Sequence, residues 1–283
     1  MKKEQIAVIV AVGAVIGYLY WLPVKPLKDL KPKQDKTTGS IARNSQPAAN
    51  VTVQTVSATA KDVVGPGLSV KINDLEGKLK NATTDADQFS LQTQLAKAWD
   101  DVNQPAPAAF YYQAIALKDN TAENWIAAGN HFNDAYKLTQ DTTAQPVFDA
   151  NAVTAFQNAM KLKPESLDAK AGLGVAYVNG GAMPMQGIGL LLDVVRQDPK
   201  NRNAILNLGL FAMKSGQYQK AVDRFKTLIA QKPEVEPYFY LAESYKQLGM
   251  RKEAINAYQQ CKDMMPDQAF DQKIDEYIKE LQN

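Results

Sequence analysis

From about residue 88 to the C-terminus, apolar residues recur at spacings of three and four, the period of helices with one buried face. The helical segments come in pairs, and the pairs repeat. One unit reads Tyr238, Leu241, Ala242, Tyr245, Gly249, Ala254, Tyr258, Cys261, Pro266; the unit before it reads Ile205, Leu208, Gly209, Ala212, Gly216, Ala221, Phe225, Leu228, Pro233, every member 33 residues upstream of its counterpart. A third unit holds Leu173, Gly174, Tyr177, Gly181, Gly187, Leu191, Val194 and Pro199. A fourth holds Trp125, Ala128, Gly129 and Phe132, then Ala152, Phe156, Ala159, Leu162 and Pro164, with an insertion of about nine residues around 139–147. A degenerate first unit holds Leu91, Leu95, Ala96 and Trp99, then Tyr111, Ala114 and Leu117, with Asp119 in place of the proline.

Each residue class in the repeat has a physical reason. The small residue after the leucine (Gly129, Gly174, Gly209, Ala242) lets the two helices of a pair cross closely. Gly181, Gly216 and Gly249 fall where a residue with positive φ ends the first helix. The prolines stop the second helix. A lone hairpin cannot bury both its faces, so stacking supplies the core. Phe270, Ile274, Tyr277, Ile278 and Leu281 form one stripe of a C-terminal helix over 269–283 that caps the last repeat, and Ile72, Leu75 and Leu79 mark a lead-in helix over 71–81.

This pattern resembles the tetratricopeptide repeat (TPR) family, over about 180 of the 283 residues in five tandem copies. The resemblance implies an all-α, right-handed solenoid of about five helix hairpins over 68–268. It also implies a concave groove, lined by the first helix of each pair, that holds a partner peptide. Carried over position by position, the groove comprises Ile126, Asn130 and Asn133; Ala171, Val175 and Asn179; Asn203, Leu206, Asn207, Leu210 and Met213; and Phe239, Tyr240, Glu243 and Lys246. Asparagine amides there satisfy both a backbone donor and a backbone acceptor. The basic clamp with which chaperone-binding members hold a C-terminal dicarboxylate is replaced by Leu206, Asn207, Ala171 and Gly172.

The N-terminal part has a different pattern. Ile6 to Leu22 is an uncharged run of 17 residues closed by Pro23, with Tyr18, Tyr20 and Trp21 at its end. It is about 25 Å long as a helix, the short end of a membrane span. A single-pass anchor over 1–23 is expected, a cleaved signal peptide being the alternative. Gly13 and Gly17 form a GxxxG pair that would let two anchors pack into a dimer. Residues 24–67, rich in Pro, Lys, Thr, Ser and Ala, read as a flexible linker.

Charge sharpens this division. The net charge is +2, yet residues 1–43 carry eight Lys/Arg against three acids, so the body is slightly acidic. That excludes a cationic nucleic-acid surface. Lysines between 25 and 36 place the body on the cytoplasmic side by the positive-inside rule, whereas the short Met-Lys-Lys start argues for the periplasmic side.

Candidate chemistry is sparse. One cysteine and one histidine exclude an internal disulfide and multi-histidine metal centres, and no cofactor is expected. His131 has Asp134 one helical turn away but no nucleophile, so it reads as a helical surface residue. Cys261 stands at a small-residue core position. The stretch 179–189 is glycine-rich but lacks GxxxxGK[ST], and reads as an enlarged turn. The aromatics at repeat positions (Trp99, Tyr111, Trp125, Phe156, Tyr177, Phe225, Tyr245, Tyr258) are assigned to the core. The expectation is a non-enzymatic, membrane-tethered adaptor for a partner polypeptide, with an anchored chaperone-like holder as the alternative.

Overall fold

Helix-forming segments of the repeat pattern appear as twelve helices in the computed structural model, which describes residues 51–282. In chain order they are α1 (Val53–Asn81), α2 (Asp85–Asp101), α3 (Pro105–Lys118), α4 (Ala122–Leu138), α5 (Gln145–Leu162), α6 (Leu167–Asn179), α7 (Pro184–Gln197), α8 (Arg202–Lys214), α9 (Tyr218–Gln231), α10 (Val235–Gln247), α11 (Arg251–Met264) and α12 (Gln268–Gln282). The pairs α2/α3, α4/α5, α6/α7, α8/α9 and α10/α11 are the five hairpins. The expected anchor over 6–22, its Gly13/Gly17 pair and the linker from 24 to 50 lie outside the described residues. Among the described helices none is long and apolar enough to cross a membrane.

Local chemistry accounts for the helix ends. Four of the five first helices start at hydroxyl or amide caps: Thr84 accepts from the Asp87 N–H, Thr121 from Asn124, Ser166 from Ala169 and Asn201 from Ala204. Three second helices instead begin with proline in the first turn, Pro105, Pro146 and Pro184, where its missing N–H costs nothing. At the intra-hairpin turns Gly181, Gly216 and Gly249 have φ of +70°, +74° and +73°. Asn103 stands at the same place in the first hairpin with φ +52°. Asparagine tolerates that region, so the degenerate repeat keeps the same turn without its glycine.

The chain departs from the expected linker at its end. Residues 53–64 are helical: Thr52 and Thr55 form a capping box, and α1 runs from there. Gly65 (φ +80°, ψ 172°) followed by Pro66 breaks α1 into two arms. The arms fold back on each other, because Ser57 Oγ donates to Glu76 Oε1 at 2.5 Å and Lys61 pairs with the same carboxylate. The second arm contains the expected lead-in helix.

The core runs along the stack as successive clusters. Ile72, Leu75, Leu95 and Trp99 begin it, followed by Phe132, Phe148 and Phe156, then Leu191 and Leu208, then Phe225, Tyr258 and Ile274. All eight repeat aromatics assigned to the core are buried. The glycine crossings are tight. A Cβ at Gly129 would lie 2.7 Å from the Phe156 ring, one at Gly209 2.7 Å from Phe225, and one at Gly174 2.9 Å from the Gly187 carbonyl. The insertion in the second hairpin mostly lengthens its helices, to 17 and 18 residues against 13 and 14 in the next.

Candidate functional site

First helices of successive hairpins touch one another (α4 with α6, α6 with α8, α8 with α10), so the stack closes more tightly on that side. This is the inner face, and it carries the residues expected to form the groove. The structure separates them into three groups.

The first group is buried and holds the stack together. Asn133 donates from Nδ2 to the Gly172 carbonyl at 3.1 Å, joining α4 to α6. Val175 lies in the core with Leu191 and Leu208. Asn207 is buried, its Nδ2 donating to the Asn203 carbonyl at 2.9 Å and to Asn203 Oδ1 at 2.7 Å. These three, with buried Ala171, are not an open surface. The reason is packing: small side chains on α6 (Ala169, Ala171, Gly172) let it sink between its neighbours, which a helical period does not reveal.

The second group is engaged by α11 and α12. Glu243 accepts the Tyr258 hydroxyl, and Lys246 pairs with Glu280 at 2.9 Å with its ammonium 5.5 Å from the Tyr277 ring. Tyr277 stacks on Tyr258 at 5.6 Å and lies 6.1 Å from Phe239. Phe239 and Lys246 therefore meet the capping helix, while Glu243 is held by Tyr258 of α11. The side chains of α12 responsible (Tyr277, Glu280) are a functional constraint on the groove that the repeat alignment does not contain.

The third group remains accessible. Asn130 and Asn203 are exposed; Ile126, Leu206, Leu210, Met213 and Tyr240 are half-buried, as is Asn179, whose carbonyl accepts the Tyr136 hydroxyl at 2.6 Å. Leu206, Leu210 and Met213 follow one stripe of α8. Tyr240 on α10 packs against the same core cluster as these three and is backed by Phe225 at a centroid separation of 5.6 Å.

His131 does not pair with Asp134, one turn away, which pairs with Lys137 instead. Its Nε2 lies 2.8 Å from Asp100 Oδ1 on α2 and its Nδ1 2.8 Å from the Ala127 carbonyl. Tyr112 of α3 stacks on the imidazole at 4.2 Å and donates its hydroxyl to Asp100 Oδ2 at 2.6 Å. Burial and the Asp100 hydrogen bond push the Tyr112 phenol above its ordinary range. The trio clasps three helices at the first joint of the stack. Cys261 is fully buried, and burial pushes its thiol up to about 11, so it is inert as a nucleophile at neutral pH.

Asp149 at the second joint is different. Burial pushes its carboxyl up to about 6, and Oδ1 is buried without a hydrogen-bond partner. It abuts Gly180, where any Cβ would overlap the carboxylate. The folded state thus favours the neutral acid. Its contribution is fully present below the ordinary carboxylate range and is lost as pH rises through about 6. Asp149→Asn is expected to stabilise the protein by about 1–2 kcal/mol at pH 7.5, with most of that gain gone by about pH 4. Urea unfolding at the two pH values checks this; an equal effect at both contradicts it.

Comparison with known proteins agrees with this geometry. Tetratricopeptide repeat family models match residues 204–236 and 238–267, the last two hairpins. Among solved structures, a thermophilic TPR protein of Thermus thermophilus, TTC0263, aligns at 17% identity over 68% of this chain and 98% of its own, with a TM-score of 0.53. PilW, a type IV pilus biogenesis factor, aligns at 19% identity over 70% of this chain and 87% of its own, also with a TM-score of 0.53. No curated protein sequence matches the chain. Tetratricopeptide repeats are thus recognised in the chain, and its described helices form an all-α, TPR-like solenoid.

Proposed function

We propose that this chain is a membrane-tethered adaptor that binds a partner polypeptide segment on the inner face of its solenoid and so supports assembly of a membrane-associated complex. TPR proteins are in general protein-interaction scaffolds. The observation that carries the reading is the half-exposed stripe Leu206, Leu210 and Met213 on α8 and half-exposed Tyr240 on α10, all packed on one core cluster. Covering that stripe removes apolar area from water at about 25 cal/mol per Å². The exposed amides of Asn130 and Asn203 supply donors and acceptors for a partner backbone. The tether rests on the apolar run Ile6–Leu22.

The combined variant Asn203→Ala, Leu210→Ala and Tyr240→Ala is expected to weaken capture of the crosslinked native partner by at least about tenfold. Its Tm is expected to fall by only a few degrees, because none of the three is fully buried. Unchanged capture contradicts the inner-face reading. Mass spectrometry of the crosslinked species also separates two roles: one stoichiometric partner fits an adaptor, and a broad set of unfolded clients fits a chaperone-like holder.

A further inference from the structure

Two segments depart from the repeat, and the structure brings them together. One is the first arm of α1, which precedes the five hairpins. The other is the long connection between α4 and α5, residues 139–144, where the other intra-hairpin connections have three or four residues. Between them, against the start of α3, lies a cavity of about 640 Å³. Its floor is apolar, with Val56, Ala60, Ala106 and Phe148. Val63 and Leu138 stand at its edge, 71% and 60% exposed. Gln104, Gln140 and Asp141 contribute the polar part of the wall.

We propose that this cleft is a second peptide-binding site, separate from the inner face, for a short apolar segment that carries one positive charge. The volume falls within the range of about 300–1,000 Å³ found for ligand sites. The cleft is also open by composition. The first arm places nothing larger than valine toward it (Val56, Thr59, Ala60, Val63), whereas α12 closes the opposite end of the stack with Ile274, Tyr277 and Leu281. A helix that served only as a cap would fill the gap, because atoms lining a void lose their dispersion partners.

Charge selects the occupant. Asp141 is the one ionisable side chain among the described residues lining the cleft, and no lysine or arginine neutralises it there. The Thr143 N–H at 2.8 Å and the Thr143 hydroxyl at 2.6 Å both donate to its Oδ1, which fixes the carboxylate and holds it below the usual carboxylate range. An anionic headgroup would meet that charge unfavourably, whereas a lysine side chain within an apolar segment would pair with it. The amides of Gln104 and Gln140 offer the donor and acceptor that a peptide backbone needs.

The test is fluorescence anisotropy of the full chain with a labelled Leu-Val-Lys-Val-Leu peptide and with the same peptide carrying Glu in place of Lys. The Lys peptide is expected to bind at least about tenfold more tightly than the Glu peptide. Asp141→Asn is expected to remove most of that difference. Thr59→Trp, at an exposed position lining the cleft, is expected to block both peptides without lowering Tm. Should that variant misfold, Gln140→Trp in the exposed α4–α5 connection fills the same space and makes the same test. No binding of the Lys peptide, equal binding of the two peptides, or binding that survives the tryptophan would each overturn the proposal. So would loss of the signal in the Asn203/Leu210/Tyr240 variant, which would move the peptide to the inner face.

Discussion

Phe156→Ala is expected to cost about 3–5 kcal/mol of stability, the largest effect of any single truncation argued from this fold. The ring is fully buried on α5 and serves both the crossing within its own hairpin and the joint to the next. It covers Gly129 on α4, where a Cβ would come within 2.7 Å, and it presses still more closely on Gly172 of α6. Those two glycines have no side chains with which to collapse into the vacated space, so the void persists and the cost falls toward the upper end of the range. Position adds a second consequence. In a stack where each repeat touches only its neighbours, weakening the joint between the second and third hairpins uncouples the two ends. Urea unfolding followed by circular dichroism is expected to show a lower midpoint and a broadened or split transition. A loss below about 1 kcal/mol would mean that the ring does not carry the joint.

Gly209→Leu tests the same geometry from the opposite side, by adding volume. The new Cβ would stand 2.7 Å from Phe225 Cε1, and the remaining atoms of the leucine have no space between α8 and α9. Phe225 is fully buried and stacks on Tyr240, so it cannot swing away freely. Overpacking of this kind costs about 1–3 kcal/mol. Because the displaced ring backs Tyr240, the variant is also expected to weaken partner capture beyond what its stability loss explains. A melting temperature equal to that of the parent would contradict the close crossing of α8 and α9.

These two positions illustrate what a sequence pattern can convey about such a fold. Gly209, Gly129 and the turn glycines are legible because each satisfies a local constraint that recurs at one period, so the five hairpins and their crossings follow from spacing. The first arm of α1 is not. Its Ser, Thr and Ala residues, followed by Gly65-Pro66-Gly67, have the composition of a linker, and only the Thr52/Thr55 capping box signals a helix start. Its stability comes from Glu76 and the first hairpins, which are non-local. The same limit applies to the candidate site. Helical period places Asn133, Val175 and Asn207 on the inner side, but their burial depends on how far α6 sinks between α4 and α8. Glu243 and Lys246 point inward as expected and then meet Tyr258 and Glu280. Asp100 and His131 are 31 residues apart, and nothing in either helix alone pairs them.

The central claim is that the inner face of the hairpin stack is where this chain meets its partner. Site-specific photo-crosslinking in the native host tests it most directly, with a benzophenone amino acid placed at Leu210 on α8 in one strain and at exposed Thr227 on α9 in another. The account expects a discrete crosslinked partner from position 210 and none from position 227. Crosslinking of the same partner from 227 and not from 210 would contradict it.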